Sequence, residues 1–207
     1  MFDRLRLGGN TDRSSDANLQ RAAALGQKDA IAALYRRHGA LIYRFSLRMC
    51  QDASIAEEVT QEVFLALIRQ QDRYDASRAT LSTWLCGIAR RQVWKHLEQR
   101  QRHLAVELFD LGEDSEDFAA ESIADNPVEM LTRKEAVEAV RRGLNELPTQ
   151  LKEVIVLCEL EEMTYDEAAL IVAVPIGTIR SRLHRAKARL RMLLSREPVN
   201  GMKENSR

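Results

Sequence analysis

The feature that most constrains this chain is a stretch that it cannot fold around. Residues 104–131 carry nine Asp or Glu and no Lys or Arg. The segment ELFDLGEDSEDFAAESIADNP keeps no helical or strand period and ends in Asn126-Pro127. So acidic a segment buries too little apolar surface to offset the entropy of ordering it. It reads as a linker over 104–127, and the 207-residue chain divides into two modules around it. The net charge of zero is an average over unlike parts. Residues 1–103 hold 17 basic and 11 acidic side chains, and residues 132–207 hold 14 and 11. Two basic modules on an acidic connector suit a protein that meets a polyanion twice.

Both modules read as helical. Residues 1–15, with Gly8-Gly9-Asn10, form a polar, disordered tail. Helical spacing starts at Asp16, a suitable N-cap, and runs to Leu25. A second helix over 29–49 carries Ile31, Leu34, Tyr35, Leu41, Ile42, Phe45 and Met49 on one face. A third starts at Ser54 with Ile55, Val59, Val63, Ala66 and Leu67 inward and Glu57, Glu58, Gln61, Glu62 and Arg69 outward. Turn residues fill 72–78. A fourth helix over 80–102 mixes Leu81, Trp84, Leu85, Ile88 and Leu97 with Arg90, Arg91, Lys95, Arg100 and Arg102. Beyond the linker, helices are expected at 128–144, 150–160, 165–172 and 176–194, then a frayed tail over 196–207. The expected fold is all-α, with two small helical domains at 16–103 and 128–195 joined by a flexible acidic linker. Trp84 shares the Leu81/Leu85/Ile88 face and reads as core, whereas Trp94 suits core and base stacking equally.

The second module contains the sharpest pattern. Tyr165–Val172 is a short amphipathic segment behind Thr164, with Glu167 placed to complete a capping box. The connection Ala173-Val174-Pro175-Ile176 follows, with Pro175 suited to the first turn of the next helix. That helix keeps Ile179, Leu183, Ala186, Leu190 and Leu193 on one stripe. Arg180, Arg182, Arg185, Lys187, Arg189 and Arg191 supply six positive charges, and no acid lies between Ile179 and Ser195. A short helix, a tight turn and a basic second helix make a helix-turn-helix, whose second helix fits the major groove. Arg there can hydrogen-bond guanine, and Ser and His can reach base edges or phosphates.

Other classes find little support. Cys50, Cys86 and Cys158 form no CxxC pair, and the four histidines show no ligand spacing, so neither a metal nor a cofactor is expected. They read as free thiols of a reducing compartment. The start, MFDRLRLGGN, has no apolar signal core, and the longest apolar run, Ala168–Val174, is far too short to span a bilayer. No phosphate loop or nucleophile–base pair argues for a nucleic-acid enzyme. A dimeric helix-turn-helix regulator remains an alternative, but it needs neither the 55–100 segment nor the linker.

The run Gly177-Thr-Ile-Arg-Ser-Arg-Leu-His-Arg-Ala-Lys-Ala-Arg-Leu, behind LKEVIVLCELEEMTYDEAALIVAVPI, resembles region 4 of extracytoplasmic-function (ECF) sigma factors of the sigma-70 family. Ile55-AEEVTQEVFLALIR resembles their region 2.2, and Tyr74-DASRATLSTWLCGIARRQVWKHLEQR resembles regions 2.3 and 2.4. The resemblance runs from about residue 17 to 195. It implies a transcription initiation factor, not an enzyme. Such a factor binds core RNA polymerase through the β′ coiled coil and the β subunit, recognises promoter −35 and −10 elements, assists melting, and is controlled by an anti-sigma factor. It implies a cytoplasmic protein, held at the inner membrane face where the anti-sigma factor is membrane-bound, and not itself a membrane protein.

Residue by residue, the resemblance assigns −35 duplex contacts to Arg180, Ser181, Arg182, His184, Arg185 and Lys187. Contacts to the −10 single strand fall to Tyr74, Asp75, Ser77, Arg78, Thr80, Arg90, Arg91, Trp94 and Lys95. Polymerase contacts fall to Arg48, Glu58, Gln61 and Glu62. The linker would thread the RNA-exit path. Two positions depart from the family pattern: Arg91 stands where Asn is frequent, and Ala173 where the turn often has Gly. A left-handed backbone at Ala173 would cost roughly 1 kcal/mol relative to Gly.

Overall fold

A computed structural model describes residues 9–70, 73–107 and 127–196. Eight α-helices account for nearly all of them: α1 Gly9–Ala24, α2 Lys28–Cys50, α3 Ala53–Arg69, α4 Leu81–Glu107, α5 Pro127–Asn145, α6 Thr149–Ile155, α7 Tyr165–Val172 and α8 Ile176–Arg196. No strand occurs among the described residues. The linker residues 108–126, the first eight residues and the C-terminal tail lie outside the described residues.

Helices α1 to α4 build the first unit. Leu34, Ile42 and Phe45 of α2, Val59, Val63 and Leu67 of α3, and Leu81, Leu85 and Val93 of α4 are essentially unexposed. Their spacing of three, four or eight residues puts each set on one helix face, and burying those faces drives the bundle together. Asp52 starts α3, its carboxylate accepting from the Ile55 amide at 3.0 Å. Two expectations fail here. Asp16 is not an N-cap, because α1 begins at Gly9 and runs through it. Asp16 is buried instead, with its carboxylate on His38 at 2.9 Å and Arg37 at 2.5 Å, tying α1 to α2. Tyr35 is about half exposed rather than inward, with its ring tilted against Phe64. Trp84 packs on the core beside Tyr74, as its spacing suggests.

Helices α5 to α8 build the second unit around Val154, Val156, Leu157, Ile179, Leu183 and Ala186. Gly143 lets α5 approach α8 closely, since a Cβ there would lie 2.8 Å from the Leu190 side chain. The expected single helix over 150–160 is split. It is α-helical to Ile155 and then opens into a π-helical turn over Val156–Leu160. This turn is followed by Glu162 at φ 54°. Tyr165–Val172 matches its expected bounds, and Thr164 and Glu167 exchange both hydrogen bonds of the capping box.

Ala173 ends α7 at φ 59°, ψ 47°, in the left-handed region, with its amide donated to Ala169. The turn thus holds a strained alanine rather than a reshaped backbone. Ala173 is exposed, so a smaller residue opens no cavity. Ala173→Gly should raise the unfolding free energy by about 1 kcal/mol in urea titration. An unchanged or lowered value would show that the turn is unstrained.

Candidate nucleic-acid and polymerase interfaces

Helix α8 presents its candidate face as the sequence suggests. Ile179, Leu183 and Ala186 are buried, and this turns Arg180, Ser181, His184 and Arg185 outward into full exposure. Arg182 is half-buried. Ser181 spends its hydroxyl proton on the Thr178 carbonyl at 3.0 Å, leaving a hydroxyl oxygen to accept. Lys187 departs from the set: its ammonium pairs with Glu159 at 2.7 Å.

The 74–95 candidates divide in two. Asp75 accepts from the amide and hydroxyl of Ser77, and these bonds hold its carboxyl below the usual range. Thr80 bonds Ser82 and Thr83 at the start of α4. Ser77 and Arg78 are exposed, and Tyr74 is half-buried with its hydroxyl 3.4 Å from the Ala79 carbonyl. Along α4 the division is one of helix face. Arg91 and Lys95 are exposed. Arg90 and Trp94, four residues apart on one face, are covered by the second unit.

What covers them is a carboxylate that sequence reading did not single out. Glu153 of α6, fully buried, accepts from Arg90 Nε at 2.7 Å and from Trp94 Nε1 at 2.9 Å. The Arg90 guanidinium stands 5.5 Å over the Trp94 ring, a cation–π arrangement. A second buried carboxylate repeats the pattern nearby. Glu161 takes Arg44 at 2.8 Å and also pairs with Arg48, whose guanidinium donates to the Leu160 carbonyl as well. Thr83 bonds Glu167, the same residue that caps α7. Asn145 bonds Gln51, the left-handed C-cap of α2. The two units, whose relative placement the sequence left open between clamped and freely tethered, are packed together along α2 and α4. One continuous apolar cluster runs through the seam.

Of the polymerase candidates, Glu58, Gln61 and Glu62 stay exposed on α3, with Glu58 3.8 Å from His96. Arg48 does not join them, being turned onto Glu161. The sequence carried one usable sign of the seam, which is that Lys152-Glu153 stands inside the apolar run ending VIVLC. Charges there must find partners or destabilise the helix.

Lys152 lies in that seam too. It is buried, donating to the Met49 carbonyl at 3.2 Å and to Asn145 Oδ1 at 3.3 Å, with no carboxylate among these bonds. Burial pulls its pKa down to about 8, against a weaker opposing pull from Cys50. Cys50 itself is pushed up to about 11 by burial, partly offset by Lys152. Cys158 rises to about 11, also chiefly by burial, and burial with the Glu161 and Glu167 charges raises Cys86 further. Raised pKa values keep all three as unreactive thiols at neutral pH.

The folded chain holds the Lys152 proton less tightly than an unfolded one does. Between pH 8 and 10.5 the unfolded state therefore holds the Lys152 proton more fully. The contribution of this one group to stability rises with pH through that window, against the opposite contribution of the raised cysteine thiols above about pH 9. Below pH 8 the full cost of the buried charge is present. Lys152→Met should remove that rise and stabilise the chain at pH 7, as apolar replacement of a buried charge often does. Urea titrations of both proteins at pH 7.5 and 9.5 check this. Equal pH dependence in the two would contradict it.

An all-α chain with a short capped helix, tight turn and basic helix on one unit and a four-helix bundle on the other has the build of a helix-turn-helix protein. The comparisons carry this further. The Sigma-70 region 2 model matches residues 34–103, and the Sigma-70 region 4 model matches residues 137–190. ECF RNA polymerase sigma factor SigK of Mycobacterium ulcerans is 30% identical over 187 residues, covering 90% of this chain and 97% of that protein. ECF sigma factor SigE of Mycolicibacterium smegmatis is 29% identical over 79% of this chain, which spans only 61% of that longer relative. Among solved structures, Bartonella quintana sigma factor RpoE in complex with the anti-sigma factor NepR superposes with a TM-score of 0.62. It shares 22% identity over 82% of this chain and 98% of that one. CnrH in complex with the cytosolic domain of CnrY gives 0.62 at 23% identity, over 88% and 99%. Both are likenesses of fold. The chain belongs to the ECF sigma factors of the sigma-70 family.

Proposed function

We propose that this chain, a promoter-directing transcription initiation factor by its family, binds core RNA polymerase and grips promoter DNA at two places. The α8 face reads the −35 duplex, and residues 74–95 capture the −10 strand once it is unpaired. The observation that carries the first grip is the arrangement on α8. Four exposed residues with donors or acceptors, Arg180, Ser181, His184 and Arg185, stand on the face opposite a buried apolar stripe, behind a short capped helix and a tight turn. The positive charge supplies salt-dependent attraction to phosphate, and the side chains supply base discrimination.

The second grip works by preference for the open strand. A base taken out of the stack costs a few kcal/mol. Stacking on an aromatic ring and contacts to phosphate recover that cost. Tyr74, Asp75, Ser77, Arg78 and Thr80 frame the pocket, and Arg90, Arg91, Trp94 and Lys95 track the strand. Arg91 adds a positive charge where the family pattern often has Asn, and so bears on which −10 bases are preferred. Glu58, Gln61 and Glu62, with Arg48 once released from Glu161, dock the β′ coiled coil. The acidic linker threads the RNA-exit path and yields to the transcript. Catalysis rests with the polymerase.

An anti-sigma factor is the proposed regulator, supported by the two structural neighbours, each held by such a partner or by a partner's cytosolic domain. No helix among the described residues is long and apolar enough to cross a membrane. The expected site of action is the cytoplasm, with the chain held at the inner membrane face if its regulator is membrane-bound.

In vitro transcription with core polymerase on a genomic promoter library tests the reading. Transcripts should share two upstream elements. Arg180→Ala and Arg185→Ala should each cost about 1–3 kcal/mol of −35 discrimination, or about 5- to 150-fold. Glu58→Lys with Glu62→Lys should abolish pull-down of core polymerase. Retained pull-down would move the docking face elsewhere, and no promoter-specific transcript at all would sink the function.

A further inference from the structure

We propose that the second unit carries a built-in competitor for the −10 strand. The Glu153 carboxylate sits where a strand phosphate would bridge Arg90 and Trp94, so the free chain is self-capped until that carboxylate is displaced. The inference rests on reading Arg90 and Trp94 as strand contacts.

The chemistry of the pocket is that of an anion site. A guanidinium and an indole N–H converge on one carboxylate oxygen, Glu153 Oε1, Arg90 Nε at 2.7 Å and Trp94 Nε1 at 2.9 Å. Both donors suit a phosphate oxygen equally well. The ring they share is one that a base could stack on. The competitor comes from the other unit, 63 residues along the chain from Arg90 and beyond the linker, so the cap is an inter-unit contact. Arg91 and Lys95 remain open beside it. A strand reaching the closed chain therefore meets half of the α4 track, and gains the other half only when α6 withdraws.

Glu161 strengthens the cap at a second point by holding Arg44 and Arg48. A fixed carboxylate on the same chain acts at a high effective concentration, which a dissolved anion does not match. Lys152, buried next to Glu153 with neutral acceptors, works against the closure, because a charge so placed is better solvated when the seam parts. The seam thus joins a strong cap to a neighbour that loosens it. That combination suits a contact meant to open.

The experiment uses the full chain, a fluorescein-labelled single-stranded oligonucleotide and small-angle X-ray scattering. Glu153→Gln keeps the side-chain volume and removes the charge. It should tighten oligonucleotide binding at least tenfold in anisotropy titrations and enlarge the radius of gyration. Adding Trp94→Ala should cancel the gain. Arg44→Ala loosens the seam from the far side, on a half-exposed residue outside the strand track, and should move both readouts the same way by a smaller factor. It carries the test if Glu153→Gln fails to fold. Oligonucleotide affinity unchanged in either folded variant overturns the proposal, whether or not the chain expands. Transcription from a pre-melted bubble template separates this from failure of the underlying reading. An Arg90→Ala defect there, with no gain from Glu153→Gln, sinks the competitor alone. Normal transcription by Arg90→Ala sinks the strand assignment itself.

Discussion

A carboxylate removed from water must be matched, and most of the arrangement of this chain follows from how Glu153 is matched. It stands in the apolar run of α6, where burial would be prohibitive without donors. The donors come from α4 of the other unit, through Arg90 and Trp94. Satisfying that one group brings α6 against α4. The π-helical turn that follows positions Glu161 to take Arg44 and Arg48 from α2. Breaking a buried pair by removing one partner typically costs about 3–5 kcal/mol. Opening the whole seam is cheaper, because water and then DNA or polymerase re-solvate both sides. The chain is therefore held shut by contacts that are exchangeable rather than merely strong.

This gives the charged residues two lives. Arg48 is on Glu161 in this structure and, on the proposed reading, would join the polymerase-docking set once the seam opens. Arg90 and Trp94 are on Glu153 and, on the same reading, would exchange it for the strand. The −35 face behaves otherwise. Arg180, Ser181, His184 and Arg185 point away from the seam and stay exposed, while Lys187, on Glu159, is engaged within the second unit.

The sequence made local structure legible wherever a short-range rule decides it. The capping box at Thr164 and Glu167, the helix over 165–172 and the buried stripe Ile179–Leu183–Ala186 all follow from spacing within a few residues. Trp84 as core followed from sharing a face with Leu81 and Leu85. What stayed hidden depends on pairs far apart in the chain. Asp16 looked like an N-cap because the His38 and Arg37 that bury it lie a helix away. Glu153 and Glu161 could not be matched to partners by spacing, because those partners belong to the other unit. The π-turn was invisible because Val156–Leu160 has no residue that forbids an α-helix. Its cause is tertiary.

The most direct test of this account follows the distance between the units. Fluorescence transfer between one dye on α3 and another on the exposed face of α8 should be high in the free chain. It should fall sharply on addition of core polymerase, as Glu161 releases Arg48 and Glu153 releases Arg90. Low transfer in the free chain, or transfer unmoved by polymerase under conditions where pull-down shows binding, would contradict a closed chain that opens to work.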